Sequence, residues 1–238
     1  MNDESEKFFE KQAHLSKCRA KALAFLRRAK YAGIPKDMIG PHVSQEEFEK
    51  ILSPEYHSHN KKGGIKAFAN FIFSSPEEIM SIPFILIDGG DEDARQKAGY
   101  AMLFRMITWD KFGLYINCSE IAHKMHSIMA LHGLGRNDVV EELRTYDALF
   151  MGECDPTSFR VGFDAGEFID DIIRNREEQR KPTILSFSQS LSSSISPENT
   201  NKNWGKCLAD LSIKEYCNRK DHTLNPSGNI LRIRVKIS

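Results

Sequence analysis

The pattern of hydrophobic and polar residues changes near residue 82 of this chain. Before that point, apolar residues recur every three or four positions, as they do along one face of an amphipathic helix. After it, short apolar runs alternate with segments of helical spacing. Strands that are apolar on both faces and alternate with helices are typical of a mainly parallel sheet covered by helices on each side. The pattern therefore predicts an α/β protein with a small helical region before the sheet.

The helical region begins with one long helix, predicted from about residue 4 to residue 31. Gly33 and Pro35 should end it, because glycine favours the position after a helix and proline disfavours helix in the residue before it. Ser44 with Glu47 three residues later is typical of a capping box, which predicts a second helix running to about residue 52. Two more helices are expected, near residues 65–73 and from Ser75 and Pro76 onward.

Five apolar runs predict the strands of the sheet. Four of them are PFILID, FGLYINC, YDALFMG and KPTILSFS, and predicted helices at residues 94–108, 119–131 and 163–180 separate them. The alternating tail NILRIRVKIS predicts one more strand, at an edge of the sheet. The chain thus divides into an N-terminal helical partner-binding region with its linker, residues 1–60, and an α/β domain, residues 61–238.

Composition and charge limit the classes of function that remain. The 238 residues are 40% hydrophobic and 28% charged, which is ordinary for a globular protein. The formal net charge of zero gives no overall attraction to nucleic acid or membrane, although residues 11–36 form a basic segment. Five scattered cysteines without a CxxC pair indicate reduced thiols in the cytoplasm. We expect no metal site, since the histidines lack acidic or thiol partners at ligand spacing, and no apolar run is long enough to span a membrane.

An unusual loop joins the first predicted strand to its helix, within the stretch FILIDGGDEDARQKAGYAMLFRMI, residues 84–107. A strand, a glycine-containing loop and a helix in that order normally hold phosphate, through backbone N–H groups and one lysine at the helix start. Here Asp91, Glu92 and Asp93 lie where a polyanion would bind. Because their charges would repel a triphosphate, we predict that the loop keeps the shape of a phosphate loop without holding phosphate.

Several segments, in their order and spacing, make the chain resemble the DnaC-type bacterial and phage helicase loaders. RRAKYAGIPKDMI is similar to the segment before the ATPase domain of that family, and the loop described above lies at its Walker A position. INCSEIAHKM resembles the second strand and helix, YDALFMGECD the Walker B strand, and FIDDIIRNREEQRKPTILSFSQS the helix and sensor-1 strand. The family consists of AAA+ ATPases with a small N-terminal helicase-binding region. The resemblance implies an AAA+-like fold, with a mainly parallel sheet between helices, and a role in DNA replication.

The residues that would carry ATP hydrolysis in that family are replaced here. The resemblance places Ala94, Arg95 and Gln96 at the loop glycine, the phosphate lysine and the magnesium hydroxyl. Gly152 stands at the metal-holding aspartate, while Glu153 matches the catalytic glutamate and is either a general base or a polar residue at the sheet edge. Hydrolysis needs phosphate cradle, metal and charge-stabilising arginine together, so we predict a pseudo-ATPase without nucleotide or metal cofactor. Cys207 and Leu211 occupy the positions of the family's paired arginines, with Lys206, Lys214 and Arg219 as candidate replacements, and Ser188 and Gln189 are candidate sensor-1 residues.

The leading hypothesis is an adaptor that binds a replicative DNA helicase and uses a degenerate AAA+ domain as a scaffold. The N-terminal helix would carry partner recognition, because an apolar stripe among basic residues suits a helix-in-groove contact. The alternative is that this stripe packs on the protein's own core. The residues predicted to bind the partner are Phe8, Phe9, Leu15, Phe25, Leu26, Arg19, Arg27 and Arg28.

The second hypothesis is a divergent but active ATPase of the helicase-loader or transposition-helper kind, using Arg95 and Glu153 with ATP and magnesium. Under either hypothesis single-stranded DNA is a further ligand, since lysines with neighbouring aromatic residues offer charge and stacking. The alternative is that these lysines are only solvated, and self-association is left open. The lysines predicted to contact nucleic acid are Lys61, Lys62, Lys66 and Lys124.

Overall fold

A five-stranded parallel sheet forms the centre of the fold. The computed structural model describes residues 3–38, 44–52, 66, 69–70, 72–73, 76–107, 111–118, 136–154, 163–187 and 230–235. The strands lie in the order β2-β3-β4-β1-β5, and each neighbouring pair is parallel, so the predicted α/β class and the predicted edge strand at the tail are confirmed. The strands are β1 (Phe84–Gly89), β2 (Gly113–Asn117), β3 (Ala148–Gly152), β4 (Thr183–Phe187) and β5 (Ile230–Val235).

The helices lie largely where the hydrophobic pattern predicts them. Helices predicted at residues 4–31, 44–52, 94–108 and 163–180 are confirmed, with ends that differ by at most two residues. Helix α5 was not predicted, because its sequence RNDVVEELRT contains only three apolar residues among ten. The helix predicted at residues 119–131 lies outside the described residues. The helices are α1 (Asp3–Tyr31), α2 (Gln45–Ile51), α3 (Pro76–Met80), α4 (Glu92–Ile107), α5 (Arg136–Thr145) and α6 (Phe163–Glu178), with a 3-10 turn at Lys36–Met38.

Each face of the sheet buries its own hydrophobic cluster. Alternate strand residues point to opposite faces, so β1 contributes Ile85 and Ile87 to one cluster and Phe84 and Leu86 to the other. Helix α4 covers the first face, where a side chain on its Gly99 would collide with the ring of Phe150. Helices α5 and α6 supply residues to the second cluster, namely Val140, Leu143, Ile172 and Ile173.

Helix α1 ends where the sequence predicts, in a turn built on Gly33. That residue has a φ of 75°, which only glycine adopts without strain. The Ile34 N–H donates to the Ala29 carbonyl at 3.1 Å, which satisfies a carbonyl at the helix end. The Ala32 carbonyl then accepts from the Tyr115 N–H of β2 at 2.8 Å, so the end of α1 covers this edge of the sheet. Among the described residues, no helix is long and apolar enough to cross a membrane.

A buried arginine fastens α6 to its neighbours. Arg176 is fully buried, and its guanidinium donates to the Thr183 hydroxyl at 2.9 Å and to the Pro182 carbonyl at 2.8 Å. It also donates to the carbonyls of Leu143 at 3.0 Å and Tyr146 at 2.9 Å, beside the end of α5. Burial lowers the pKa of Arg176 to about 10, which leaves it charged at neutral pH. The charge therefore has a structural use, since it satisfies carbonyls around the end of α5 and the start of β4.

Candidate functional site

The loop after β1 is shorter than a phosphate loop. Five residues lie between Gly89 and Arg95, as in the phosphate-loop pattern between its first glycine and its lysine, but residues 92–94 already belong to α4, so only Gly90 and Asp91 remain outside the helix and strand. Asp91 is the N-terminal cap of α4, because its side chain accepts from the Ala94 N–H at 2.8 Å. Its carbonyl accepts from the Arg95 N–H at 3.1 Å. Two backbone donors near the phosphate position are therefore already used by the helix cap.

The guanidinium of Arg95 fills the space beside this loop. Its Nη1 donates to the carbonyls of Gly89 at 3.2 Å and Gly90 at 2.9 Å. Its Nη2 donates to both carboxylate oxygens of Glu153 at 3.1 Å, and its Nε donates to one of them at 3.3 Å. Arg95 is only 3% exposed, so this ion pair is held away from water. Arg95, at the position of the phosphate lysine, thus makes its hydrogen bonds within the protein.

The polarity of this loop is opposite to that of a phosphate site. A loop that holds phosphate directs backbone N–H groups at the ligand. The described loop instead directs the carbonyls of Gly89 and Gly90 at a cation, and both glycines have positive φ, 81° and 58°. A phosphate could lie there only if Arg95 moved away, and it would then meet the carbonyl oxygens and the Glu153 carboxylate. The geometry therefore favours a bound cation, which the protein supplies itself.

Glu153 is held in place by the neighbouring strand. It follows β3 directly and has a φ of 56°, an uncommon conformation for a residue other than glycine. Ser186 of β4 fixes this turn, because its hydroxyl accepts from the Glu153 N–H at 3.0 Å and its carbonyl accepts from the Cys154 N–H at 2.7 Å. The turn aims the carboxylate at Arg95 across the carboxyl ends of the strands. Both oxygens of Glu153 then accept from Arg95, whose three hydrogen bonds use three of the roughly four lone-pair sites of the carboxylate.

The remaining polar residues of the loop pair along the surface of α4. Gln96, at the position of the magnesium hydroxyl, donates to Glu92 at 2.7 Å. Lys97 forms an ion pair with Asp93, and the hydrogen bond from that carboxylate raises the pKa of Lys97. These contacts join residues one helical turn apart, as expected for a solvated helix face. Gln96 therefore makes a helix-surface contact in this structure.

The position of the metal-holding aspartate is filled by an aromatic ring. Gly152 is buried, and a Cβ atom built on it would lie 3.0 Å from both Cε2 and Oη of Tyr115. Tyr115 in turn packs edge to face on Tyr100 of α4, at 4.9 Å between ring centroids, and lies 5.0 Å from the ring of Phe150. Absence of a side chain at Gly152 therefore makes room for Tyr115. An aspartate there would require this aromatic cluster to move.

Two cysteines meet beside the same end of the sheet. The Sγ atoms of Cys118, after β2, and Cys154, after β3, are 3.2 Å apart, and both residues are buried as free thiols. The Cys154 thiol also donates to the Met151 carbonyl at 3.3 Å. The sequence shows these cysteines as scattered, because 36 positions separate them. Their pairing follows from the parallel register of β2 and β3, which sequence spacing does not reveal.

The predicted partner-binding residues lie on a helix that projects from the domain. Leu15 and Leu26 of α1 are 43% and 46% exposed. Arg19 and Arg27 are also exposed, while Arg28 is half-buried near the helix end. The described part of the stripe is thus open to solvent rather than packed on the core. The side chains of Phe8, Phe9 and Phe25 lie outside the described part.

The structure describes only some of the other predicted site residues. Lys66 is exposed on a helical segment. Its role in nucleic-acid binding stays a prediction. The candidates that lie outside the described residues are Lys61, Lys62, Lys124, Ser188, Gln189, Lys206, Cys207, Leu211, Lys214 and Arg219. Within the described part of the chain, no group of three or more histidine, cysteine or acidic side chains could hold a metal ion.

Sequence reasoning found Arg95 and Glu153 as separate candidates but missed that they form a pair. Fifty-eight positions separate them. The one available signal was the order of the predicted strands and helices, since the carboxyl ends of parallel strands meet at one edge of a sheet. Nothing in the sequence indicated that Tyr115 would fill the space at Gly152.

Comparison with solved structures found proteins of similar fold. AMPPCP-bound DnaA from Aquifex aeolicus is 12% identical, with a TM-score of 0.53 over 82% of this chain and 51% of that one. A DnaA initiator bound to AMPPCP and single-stranded DNA is 13% identical, with a TM-score of 0.51 over 78% of this chain and 51% of that one. A DnaC helicase loader is 15% identical over 76% of this chain and 99% of that one, with a TM-score of 0.47. No family model and no curated protein matches the chain.

These likenesses show the fold. The two DnaA structures share an AAA+-like arrangement of a parallel sheet between helices, and the expectation of that fold is confirmed. This chain spans about half the length of each of those two chains, 51%. The TM-score of the DnaC structure is too low to add to the argument.

Proposed function

We propose that this protein is a DNA-replication adaptor, which binds a replicative helicase and uses its AAA+-like domain as a scaffold without binding or hydrolysing ATP. The observation that carries the proposal is the position of the Arg95 guanidinium. It donates to the loop carbonyls of Gly89 and Gly90 and to the carboxylate of Glu153, where a nucleotide phosphate would otherwise lie. The loop carbonyls thus accept their hydrogen bonds from a side chain of the protein itself.

The energy of this arrangement opposes nucleotide binding. A triphosphate would have to displace Arg95, and separating a buried ion pair costs about 3 to 5 kcal/mol. That cost weakens binding by roughly two to four orders of magnitude, so a site of micromolar affinity would become a site with a Kd of about 0.1 to 10 mM. Repulsion from Asp91, Glu92 and Asp93, which lie exposed at the start of α4, adds to this. Both effects support a scaffold without nucleotide.

The replication role is supported by the fold likeness and by the resemblance to helicase loaders. The DnaA structures with this fold hold AMPPCP, and one of them also holds single-stranded DNA. In this chain the nucleotide half of that pattern is opposed by Arg95. The part of that pattern that remains is DNA as a ligand, and the resemblance to helicase loaders adds assembly on a protein partner. A replicative helicase is the partner that the resemblance implies.

The helicase contact is assigned to the apolar stripe of α1, defined here by Leu15, Ala22 and Leu26. These residues recur at seven and four positions, so they lie on one side of the helix. All three are exposed, and Leu15 and Leu26 keep 43% and 46% of their surface in water. An exposed apolar stripe on a helix suits a groove on a partner protein. The helix is held by its last turn, where Ala29 is fully buried.

Binding to the replicative helicase of the same organism tests both halves of the proposal. The change is Leu15→Ser together with Leu26→Ser, which removes the apolar stripe, and we expect at least a tenfold loss of affinity measured by interferometry. Leu23→Ser is the matched control, because Leu23 is 57% exposed but lies roughly 80° away around the helix. Magnesium and ATP should leave the affinity of the unchanged protein the same.

Calorimetry with magnesium and ATP completes this test. We expect no binding stronger than a Kd of about 0.1 mM, because a triphosphate would have to displace Arg95 and would be repelled by the acidic residues at the start of α4. Magnesium-dependent binding in the micromolar range would overturn the scaffold without nucleotide and favour the divergent ATPase with Arg95 and Glu153. Helicase binding that is unaffected by loss of the apolar stripe would overturn the assignment of the contact to α1.

A further inference from the structure

We infer that the basic face of α1, formed by Lys17, Lys21 and Arg27 around Ala20 and Ala24, binds the phosphate backbone of DNA. This face lies on the side of α1 opposite Leu15 and Leu26, so it is distinct from the apolar stripe. The inference goes beyond the proposed function, because it gives DNA a site of its own. DNA binding at this face is expected whether or not α1 binds a helicase.

The charge of α1 is the first observation behind this site. The whole chain has a formal net charge of zero, yet residues 11–30 contain no aspartate or glutamate. A stretch of one sign on one helix gives a local field that attracts a polyanion even when the whole molecule is neutral. The seven cations of this stretch are Lys11, Lys17, Arg19, Lys21, Arg27, Arg28 and Lys30.

The cations of the basic face are available to a ligand. Lys17, Lys21 and Arg27 are exposed, as are their described neighbours from residue 13 to residue 27. Within the described part of the chain, none of the three forms an ion pair. Some exposed cations on other helices are paired along their own helix, for example Lys50 with Glu47 at 2.6 Å. The basic face instead brings three cations together on one side of one helix, with no ion pair among the described residues.

The arrangement of side chains suits a phosphate backbone. At 100° per residue, Lys17 and Lys21 lie one turn apart on one flank, and Arg27 lies on the other flank. Ala20 and Ala24 lie between these flanks, and their small side chains let a nucleic-acid strand approach closely. The cationic stretch of 20 residues is about 30 Å long, close to one turn of duplex DNA at about 34 Å. A helix also fits the major groove, which is about 12 Å wide.

The chemistry of this face favours nucleic acid over an acidic protein. The buried centre of a protein interface is rich in apolar and aromatic side chains, and the basic face has only alanines between its cations. Leu15 and Leu26 lie on the other side of the helix, while Leu23 lies at the margin of the basic face and Tyr31 lies beyond its last cation, at the end of the helix. Contacts made by charge alone are typical of binding to phosphates, which supplies sequence-independent affinity for DNA.

Fluorescence anisotropy with labelled DNA tests the site, using a duplex of about 20 base pairs and a single strand of about 20 nucleotides. The variant carries Lys17→Ala and Lys21→Ala, and alanine favours helix, so α1 should persist. We expect at least tenfold weaker binding of DNA at about 50 mM salt, because two phosphate contacts are lost. The slope of log affinity against log salt should fall in magnitude by about 2 for the duplex.

The matched control removes two exposed cations elsewhere, with Lys111→Ala and Arg174→Ala, and should bind DNA as the unchanged protein does. Helicase binding should survive in the Lys17 and Lys21 variant, whereas DNA binding should survive loss of Leu15 and Leu26. The inference is overturned if the unchanged protein binds neither DNA at about 50 mM salt, or if the double variant binds as the control does. If the Lys17 and Lys21 variant lost helicase binding but kept DNA binding, the inference would also be overturned, since the basic face would then contact an acidic surface of the helicase.

Discussion

At the scale of single residues, Arg95 decides the chemistry of the loop after β1. Arginine presents five donors in a rigid planar fork, so one side chain reaches two loop carbonyls and a carboxylate at once. A lysine at this position would be a single point charge and would satisfy fewer of these acceptors. The arginine is therefore better understood as an internal ligand of the loop than as a weakened phosphate ligand.

The ion pair of Arg95 with Glu153 should contribute to stability through its burial. We expect Glu153→Gln to lower the free energy of unfolding by about 3 kcal/mol, because it leaves a buried guanidinium without its counter-charge. Urea unfolding measures this. Arg95→Met together with Glu153→Gln should cost less than the sum of the single changes, with a coupling of at least about 1 kcal/mol.

An exposed ion pair on α5 provides the control for this cycle. Arg144 and Glu141 are 2.9 Å apart, with 39% and 62% of their side chains exposed. Solvent screening limits such pairs, so Glu141→Gln should cost less than about 1 kcal/mol. If Glu153→Gln proved as mild as Glu141→Gln, the buried pair would not be what holds the loop.

At the scale of elements, the start of α4 matters more than the residues that replace the phosphate-loop motif. In the phosphate-loop pattern, the residues before the lysine form the loop that surrounds the phosphates. Here Glu92, Asp93 and Ala94 are already helical, and Asp91 caps the helix. The sequence predicted the helix from about residue 94, and this difference of two residues removes half of the four-residue loop. The shape of a phosphate loop, which the sequence predicted to persist, is therefore lost as well.

Restoring the motif residues should not restore ATP hydrolysis. The variant carries Ala94→Gly, Arg95→Lys, Gln96→Thr and Gly152→Asp, and we expect turnover far below about 1 per second, the low end for kinases. The aspartate at residue 152 should also destabilise the protein, because Tyr115 occupies its space. A coupled phosphate-release assay and thermal unfolding provide the measurements.

The triple variant without Gly152→Asp is the control for the steric effect. It leaves the contact of Tyr115 with Gly152 unchanged, so its melting temperature should lie above that of the quadruple variant. Turnover near about 1 per second in the quadruple variant would show that α4 can unwind to form a phosphate loop and that an arginine elsewhere stabilises the reaction.

At the scale of the whole molecule, the N-terminal segment and the sheet share a hydrophobic core. Ala29, Ala32, Phe48 and Leu52 belong to the same buried cluster as Ile85 of the central sheet. The division of the chain at residue 60 stays a prediction. The described contacts nevertheless show where α1 changes character, since residues 19–24, 26 and 27 are exposed and Ala29 is fully buried.

Two truncations should separate the projecting part of α1 from the part that packs. Removing residues 1–26 should leave the melting temperature nearly unchanged and abolish helicase binding, because the apolar stripe is lost and the core is kept. Removing residues 1–33 should cost about 2 kcal/mol, since two buried methyl groups and the hydrogen bond to Tyr115 are lost. That loss corresponds to roughly 4 to 8 °C.

Calorimetric melting of the purified truncated proteins provides the measurement, with circular dichroism to confirm that each is folded. Equal melting temperatures for the two truncations would contradict the boundary between the projecting and packed parts of α1. Full helicase binding after removal of residues 1–26 would show that the partner contact lies elsewhere in the chain.

The sequence by itself determined the elements and the class of the fold. Local signals are sufficient for this, because helix periodicity, the capping box at Ser44 and the glycine at residue 33 act within a few positions. The short apolar runs fixed four strands, and the alternating tail fixed the fifth at the edge. Helix α5 was missed because its three apolar residues, Val139, Val140 and Leu143, provide too little periodicity.

Only the tertiary structure decided what the loop after β1 holds. Arg95 and Glu153 meet because α4 starts at one strand end while the turn after β3, fixed by Ser186, points back toward it. Tyr115 reaches Gly152 across neighbouring strands, and Cys118 reaches Cys154 in the same way. These contacts depend on strand order and register, which arise from packing the whole sheet, and a single sequence carries no local signal for either.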